Sequence, residues 1–288
     1  THSLHRRQRQ MCIRDSGAAT MSHLAYEKHG HVAVVTFNRP ERHNAISPEM
    51  MVRLFDAWTE VRDDPEVRVA ILTGAGDETF CAGGDLGKLM PLFTGAREPE
   101  DEWDRRIKDD PMMTMTSLLK GFELYNPIVA AVNGRALAGG MELLQATDIR
   151  VASSDAVFGL TEAQRGLVPG GGSMVRLCRQ IPWARAMEIL LLGETITADE
   201  ALDIGLINAV VAPDQVMASA HEYAERLAAN GPLAVQKIKE AAWRTSGLPI
   251  DEAHAIENDL AAEVMMSRDA REGPRAFMEK RRPDFTGT

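Results

Sequence analysis

The sequence has little of what extracellular, membrane-spanning or metal-dependent proteins need. It holds three cysteines in 288 residues, Cys12, Cys81 and Cys178. They have no metal-ligand spacing and cannot all pair within one chain, so a reducing compartment is the simpler reading. No run approaches the roughly 18 apolar residues of a membrane span, and no apolar segment follows the N-terminal arginines as a secretory signal would. The eight histidines show no spacing such as H-E-x-x-H, so no metal is expected. Positive charge is scarce too. A formal net charge of −10 argues against a general nucleic-acid or anionic-membrane surface, though not against a phosphate-rich ligand. What remains is a globular chain, 44% apolar and able to bury one large core or two, with the cytoplasm as its expected location.

Residues 1–20 stand apart. Arg6, Arg7, Arg9 and Arg14 face only Asp15, with no hydrophobic periodicity. The segment reads as a non-native or disordered extension with Met21 as the natural start; the alternative is a transit peptide, which would place the protein in the mitochondrial matrix.

From Ala25 the pattern becomes regular. Val32, Val34, Val35 and Phe37 predict a strand paired with Leu24 to Lys28 through a turn at Gly30. Ser47 caps a helix with Pro48 at its first position and an apolar stripe through Met51, Leu54, Phe55, Trp58 and Val61. A strand over 67–73 leads toward a glycine loop, a polar Pro-punctuated stretch covers 91–111, and a helix runs to about Phe122. The unit then recurs: strand 128–132, a second glycine loop, a helix over 139–146, and strands 149–152 and 156–160. Thr197 and Glu200 fit a capping box for a short helix stopped by Gly205. A short strand, 207–211, precedes helices beginning near Asp214, Pro232, Pro249 and Ser267. The pattern predicts an α/β core over 21–212 and a helical region over 213–288 suited to assembly.

The chemistry concentrates in the two glycine loops, Phe80 to Leu86 and Asn133 to Glu142. Glycine removes the Cβ that would block an oxygen approaching a backbone amide. Each loop alone is equally a tight turn; together they read as two halves of one anion site. Glu142 closes the second loop and Glu162 follows twenty residues later, and either could be an ordinary helix-start residue favoured by the dipole. Cys81, inside the first loop, reads as a small packing residue, no histidine partner being evident nearby.

Over Leu24 to Phe285 the chain resembles the crotonase, or enoyl-CoA hydratase, superfamily. The resemblance rests on Asn38-Arg39-Pro40 with Asn44-Ala45, Leu72 to Gly76, Phe80 to Leu86, Ala131 to Glu142, Asp148, Phe158-Gly159 with Glu162, Gly166-Leu167 with Pro169, and Glu272-Gly273 to Arg281. It implies a spiral of repeated strand-strand-helix units with a C-terminal helical assembly region. It also implies an enzyme: reversible syn hydration of a trans-2-enoyl-CoA to a 3-hydroxyacyl-CoA, with no cofactor beyond the CoA of the substrate.

By that resemblance the amides of Gly84 and Gly139 hold the thioester oxygen, Glu142 acts as base toward water, and Glu162 supplies the proton at C2. Arg42, Asn44, Ala45, Ala82, Asp85 and Leu86 would meet CoA. Phe277 and Lys280 would reach its nucleotide end, sometimes from a neighbouring subunit, against the plainer reading of a packed ring and a solvated charge. The partners implied are an acyl-CoA and two or five further copies, in a homotrimer or a hexamer built from two trimers.

Three departures, Thr161 before Glu162, Met141 near the expected acyl chain and the Gly87-Lys88 step, bear on acyl preference rather than reaction class. Met90, Met112, Met113 and Met115 could form an adaptable acyl wall or simply pack a helix. Isomerisation, carnitinyl-CoA dehydration or racemisation, and thioester hydrolysis are the alternative reactions of the same superfamily. An RNA-binding relative is the alternative of a different kind, and the acidic composition counts against it.

Overall fold

The structure, a computed structural model, describes residues 22–288. The readings of residues 1–20 and of Met21 lie outside the described residues.

Two sheets and the helices around them make the body. In chain order the strands are β1 (Leu24–His29), β2 (Val32–Phe37), β3 (Val69–Gly74), β4 (Thr79–Cys81), β5 (Ile128–Val132), β6 (Arg135–Leu137), β7 (Ile149–Ser153), β8 (Val157–Gly159), β9 (Thr195–Thr197) and β10 (Ala209–Val211). The helices are α1 (Pro48–Asp63), α2 (Leu89–Thr94), α3 (Glu102–Asp109), α4 (Met113–Thr116), α5 (Gly139–Leu144), α6 (Ser173–Gln180), α7 (Trp183–Leu192), α8 (Ala198–Asp203), α9 (Val216–Ala228), α10 (Pro232–Thr245), α11 (Ile250–Met266) and α12 (Asp269–Met278).

The large sheet runs β1-β2-β3-β5-β7-β10, antiparallel only between β1 and β2. The small sheet runs β4-β6-β8-β9, with only the last pair antiparallel. Each repeat therefore places one strand in each sheet before its helix: β3 then β4, β5 then β6, β7 then β8. This is the spiral the sequence implied, and the fold class is borne out.

The central strands β3 and β5 read as near-unbroken apolar runs because both faces are covered. Ala70 and Leu72 of β3, with Ile128, Ala130 and Val132 of β5, join the main core with Trp58, Phe80 and Met141. Val69, Ile71, Val129 and Ala131 point the other way, against Val216, Ala220 and Ala224 of α9. The first helix of the 213–288 region thus completes the body.

Several local readings hold. Ser47 caps α1 through the Met50 amide, and Thr197 and Glu200 form a reciprocal capping box on α8. Others need correction. The polar, Pro-punctuated stretch 91–111, where no element was expected, contains most of α2 and all of α3, capped by the Asp101 side chain on the Asp104 amide. The helix expected to reach Phe122 ends at Thr116, because Leu119 and Gly121 turn into positive φ, at 56° and 75°. The chain also leaves β3 well before the first glycine loop, making a separate strand, β4, in the other sheet.

Candidate active site

The small sheet explains why the two glycine loops meet. β4 and β6 are parallel neighbours with Cys81 opposite Ala136, so the segments after them emerge side by side. A Cβ placed on Gly83 would lie 3.0 Å from the Gly139 nitrogen, and one placed on Gly139 would lie 3.7 Å from the Gly84 nitrogen. Gly140 is tighter still: its Cβ would fall 2.3 Å from the Cys81 carbonyl oxygen, so only glycine lets α5 begin against β4. Ala138, just before α5, is held at φ 47° and ψ −125° by its amide bond to the Gly159 carbonyl, 2.9 Å. A non-glycine residue in such a region costs on the order of 1–3 kcal/mol, and here the cost falls where the backbone must turn its next N–H outward. Among the described residues neither the Gly84 nor the Gly139 amide has an acceptor.

The carboxylates come from the next two turns of the spiral. Glu142 lies in the first turn of α5 and is 5% exposed. Burial pushes its carboxyl up to about 7, with the charge of Glu162 adding to the effect, while amide bonds from Ser173 and Gly171 oppose it. The Ser173 N–H donates to Glu142 Oε1 at 3.3 Å, and a Cβ on Gly171 would sit 2.9 Å from Oε2. Glu162 follows β8, the neighbour of β6, and starts the short turn Ala163–Arg165. Its carboxyl is also raised, chiefly by burial, and its Oε2 is buried without a hydrogen-bond partner. An unsatisfied buried carboxylate oxygen favours the protonated form.

Arg176 is the cation of this neighbourhood. It donates through Nη1 to the carbonyls of Leu118, Glu142 and Gly171 and through Nη2 to that of Leu119. It therefore ties α6 to α5 and to the segment after α4. The Gly170-Gly171-Gly172 run, Ser173 and Arg176 were not singled out as site residues in the sequence. The glycine run was the available signal: Gly171 lies against both Glu142 and Leu118.

The residues expected at CoA divide. Ala45, Ala82, Asp85 and Leu86 flank the Gly84 loop, which is pinned by Ile46 N–H to Gly83 O and Asp85 N–H to Ile46 O, 2.8 and 2.9 Å. Asp85 pairs with the buried Arg39, whose guanidinium also holds the Ala45 carbonyl. The Asn44 side chain is fully buried, accepting from the Arg39 amide and donating to the Ala75 and Thr79 carbonyls. It shapes the segment, leaving its exposed neighbour Arg42 to face solvent.

Phe277 and Lys280 are not brought to this site within one chain. Their helix belongs to a tail anchored at the amino ends of the strands: Arg68, before β3, donates to the Ala228 and Phe285 carbonyls, and Lys239 to the Asn126 carbonyl and Asp148. The glycine loops lie beyond the opposite, carboxyl ends. Among the described residues no cluster of three or more His, Cys, Asp or Glu is arranged to hold a metal ion.

The candidate site thus offers, among the described residues, two backbone amides without acceptors and two carboxylates with raised proton affinity. The sequence pattern of the enoyl-CoA hydratase/isomerase family matches residues 27–288. The chain belongs to that family. It is 47% identical over 259 residues to enoyl-CoA hydratase EchA19 of Mycobacterium tuberculosis, covering 90% of this chain and 94% of the relative. It is 40% identical to the (E)-benzylidenesuccinyl-CoA hydratase of Thauera aromatica, covering 92% and 99%. Among solved structures, an enoyl-CoA hydratase/isomerase from Mycobacterium abscessus aligns with a TM-score of 0.82 at 45% identity, over 92% of this chain and all of that one. The crotonase resemblance read from the motifs is borne out, and with it the reading of the chain as an enzyme. No helix among the described residues is long and apolar enough to cross a membrane.

Proposed function

We propose that this hydratase/isomerase family member adds water reversibly across the double bond of a trans-2-enoyl-CoA, giving the 3-hydroxyacyl-CoA. The observation that carries the reading is the pair of unequal carboxylates. Glu142, near 7, is poised to exchange a proton at neutral pH, and Glu162 carries a buried oxygen with nothing to bond. A general base works best when its proton affinity lies near the operating pH.

In the proposed reaction the thioester oxygen sits between the Gly84 and Gly139 amides. As the oxygen of water bonds to C3, its proton passes to Glu142, and the electrons of the double bond move toward the thioester as an enolate. Each amide offsets the charge growing on the oxygen, typically by about 2.7–4 kcal/mol for one such donor. Glu162 then delivers its proton to C2, and a proton shift from Glu142 to Glu162 restores the starting state. The two carboxylates are near enough for the charge of Glu162 to act on Glu142, which supports their sharing one substrate. The steps are proton transfers and one C–O bond, with no electrons passed to a cofactor. Because the tail of one chain lies at the far end of the sheet, we further assign Phe277 and Lys280 to the CoA of a neighbouring copy.

The test is a panel of 2-enoyl-CoA thioesters, following loss of the conjugated absorbance and identifying the product. E142Q and E162Q are each expected to lose at least about 100-fold in turnover with thioester binding retained. Hydration at the wild-type rate by either variant would overturn the two-carboxylate assignment, and a 3-enoyl product would favour isomerisation.

A further inference from the structure

Between β2 and α1 the chain runs along the first glycine loop as a strap, residues 39–46, with no regular structure beyond the short turn Pro40–Arg42. Ile46 of the strap makes an isolated parallel bridge to Gly84: its N–H donates to the Gly83 carbonyl at 2.8 Å, and its carbonyl accepts from the Asp85 N–H at 2.9 Å. In a parallel bridge the residue opposite exchanges neither bond, so the Gly84 N–H is turned to the side away from the strap. Ile46 also reaches the second loop, where a Cβ on Gly139 would lie 3.6 Å from its Cδ1.

Side chains hold the strap in this shape. His43 and Asn44 sit at positive φ, 51° and 52°, and the Asn44 Oδ1 accepts from the Arg39 N–H to close the turn. Arg39 Nη1 donates to the Ala45 carbonyl at 2.7 Å, on the same peptide whose N–H bonds Gly83. It also donates to Asp85 Oδ2 at 3.1 Å. Asp85 Oδ1 in turn accepts from the Gly87 and Lys88 amides, both at 3.0 Å, just before α2. One guanidinium and one carboxylate therefore fix the chain on both sides of Gly84. Stability does not account for the pair: both side chains are largely buried, and Arg39 Nε is buried with no partner. Apolar groups of similar volume often serve a fold as well as a buried ion pair or better.

We infer that Arg39 and Asp85 are positioning residues for the Gly84 amide: gripping the strap and the loop together, they aim that N–H at the thioester oxygen, and Asp85 acts through the backbone rather than as a contact of CoA. This rests on the proposed role of the Gly84 and Gly139 amides.

The experiment measures kcat, KM and denaturant midpoint for wild type, D85N, R39M and R39M/D85L. D85N keeps the shape of the side chain and an acceptor for the Gly87 and Lys88 amides, but turns a donor toward Arg39. A misaimed donor lowers the rate without loosening the nucleotide end, so each single variant should lose about 10- to 100-fold in kcat with KM within about twofold of wild type. The double variant, with neither charge left unpaired, should regain the wild-type midpoint while its kcat stays at the level of the singles. A wild-type kcat in R39M/D85L would overturn the inference, and so would a raised KM with unchanged kcat in D85N, which would make Asp85 a contact of CoA. The carbonyl stretch of bound butyryl-CoA, labelled with ¹³C at the thioester, reads the aim without turnover. It should fall on binding to wild type and return part of the way in D85N and in the double variant. A wild-type shift kept in both variants would overturn the positioning role. No shift in wild type would instead overturn the reading of the two amides.

Discussion

At the scale of single residues, burying Glu142 makes the fold's stability depend on pH. Glu142 binds its proton more tightly in the fold, about 7, than in an unfolded chain, near 4.5. The stability this group contributes is therefore fully present below pH 4.5 and is lost as pH rises through 7. Over that window the loss amounts to about 3 kcal/mol. E142Q, which never ionises, should be more resistant to denaturant than wild type at pH 8, and the advantage should vanish near pH 4.5. Urea unfolding at the two pH values checks this; equal midpoints at pH 8 would contradict it. The two glutamates stood out in the sequence through the family resemblance, since each alone reads equally well as a helix-start residue. The Ser173 amide on Glu142 did not, since a backbone donor has no residue pattern of its own and meets the carboxylate only where α6 starts.

At the scale of elements, glycines divide into those that relieve the backbone and those that admit a neighbour. Gly30 sits at φ 59° with nothing within 4 Å of where a Cβ would be, whereas Gly140 would drive its Cβ into the Cys81 carbonyl. G30A should cost about 1–2 kcal/mol from left-handed backbone strain and leave kcat intact. G140A should cost about 1–3 kcal/mol from overpacking and also separate the two loops, so that kcat falls with stability. Denaturant midpoints read beside turnover distinguish the two cases; an active G140A would contradict the shared-loop geometry. The long elements, β1 to β3, α1 and the C-terminal helices, were legible because six or more residues carry a period. β4, β6 and β9 were not: the equally short β8 and β10 showed as apolar runs, but β4 and β6 adjoin the glycine loops and β9 leads into a helix cap, so only the partner strand makes them a sheet. In α2 and α3 the prolines at 91, 99 and 111 mask helices whose signal, Asp101 as a cap, spans a single turn.

At the scale of the whole molecule, several large apolar side chains face outward. Trp183, Leu191, Ile238, Met265, Met266 and Phe277 are large apolar residues left exposed on α7, α10, α11 and α12. Such residues spread over the helical tail predict assembly with further copies. Light scattering should return three or six times the 31.6 kDa of one chain. M266E should lower that mass, and a single-chain mass for wild type at micromolar concentration would rule the assembly out. The small sheet has the last consequence. The Gly84 amide, the Gly139 amide and the Glu162 carboxylate hang from β4, β6 and β8, three successive rungs of one ladder. Rungs in any sheet stand about 4.7–4.9 Å apart. Main-chain bonding therefore sets the spacing of the three strand ends from which these segments start, so that side-chain substitutions at 142 or 162 should leave that template with its dimensions.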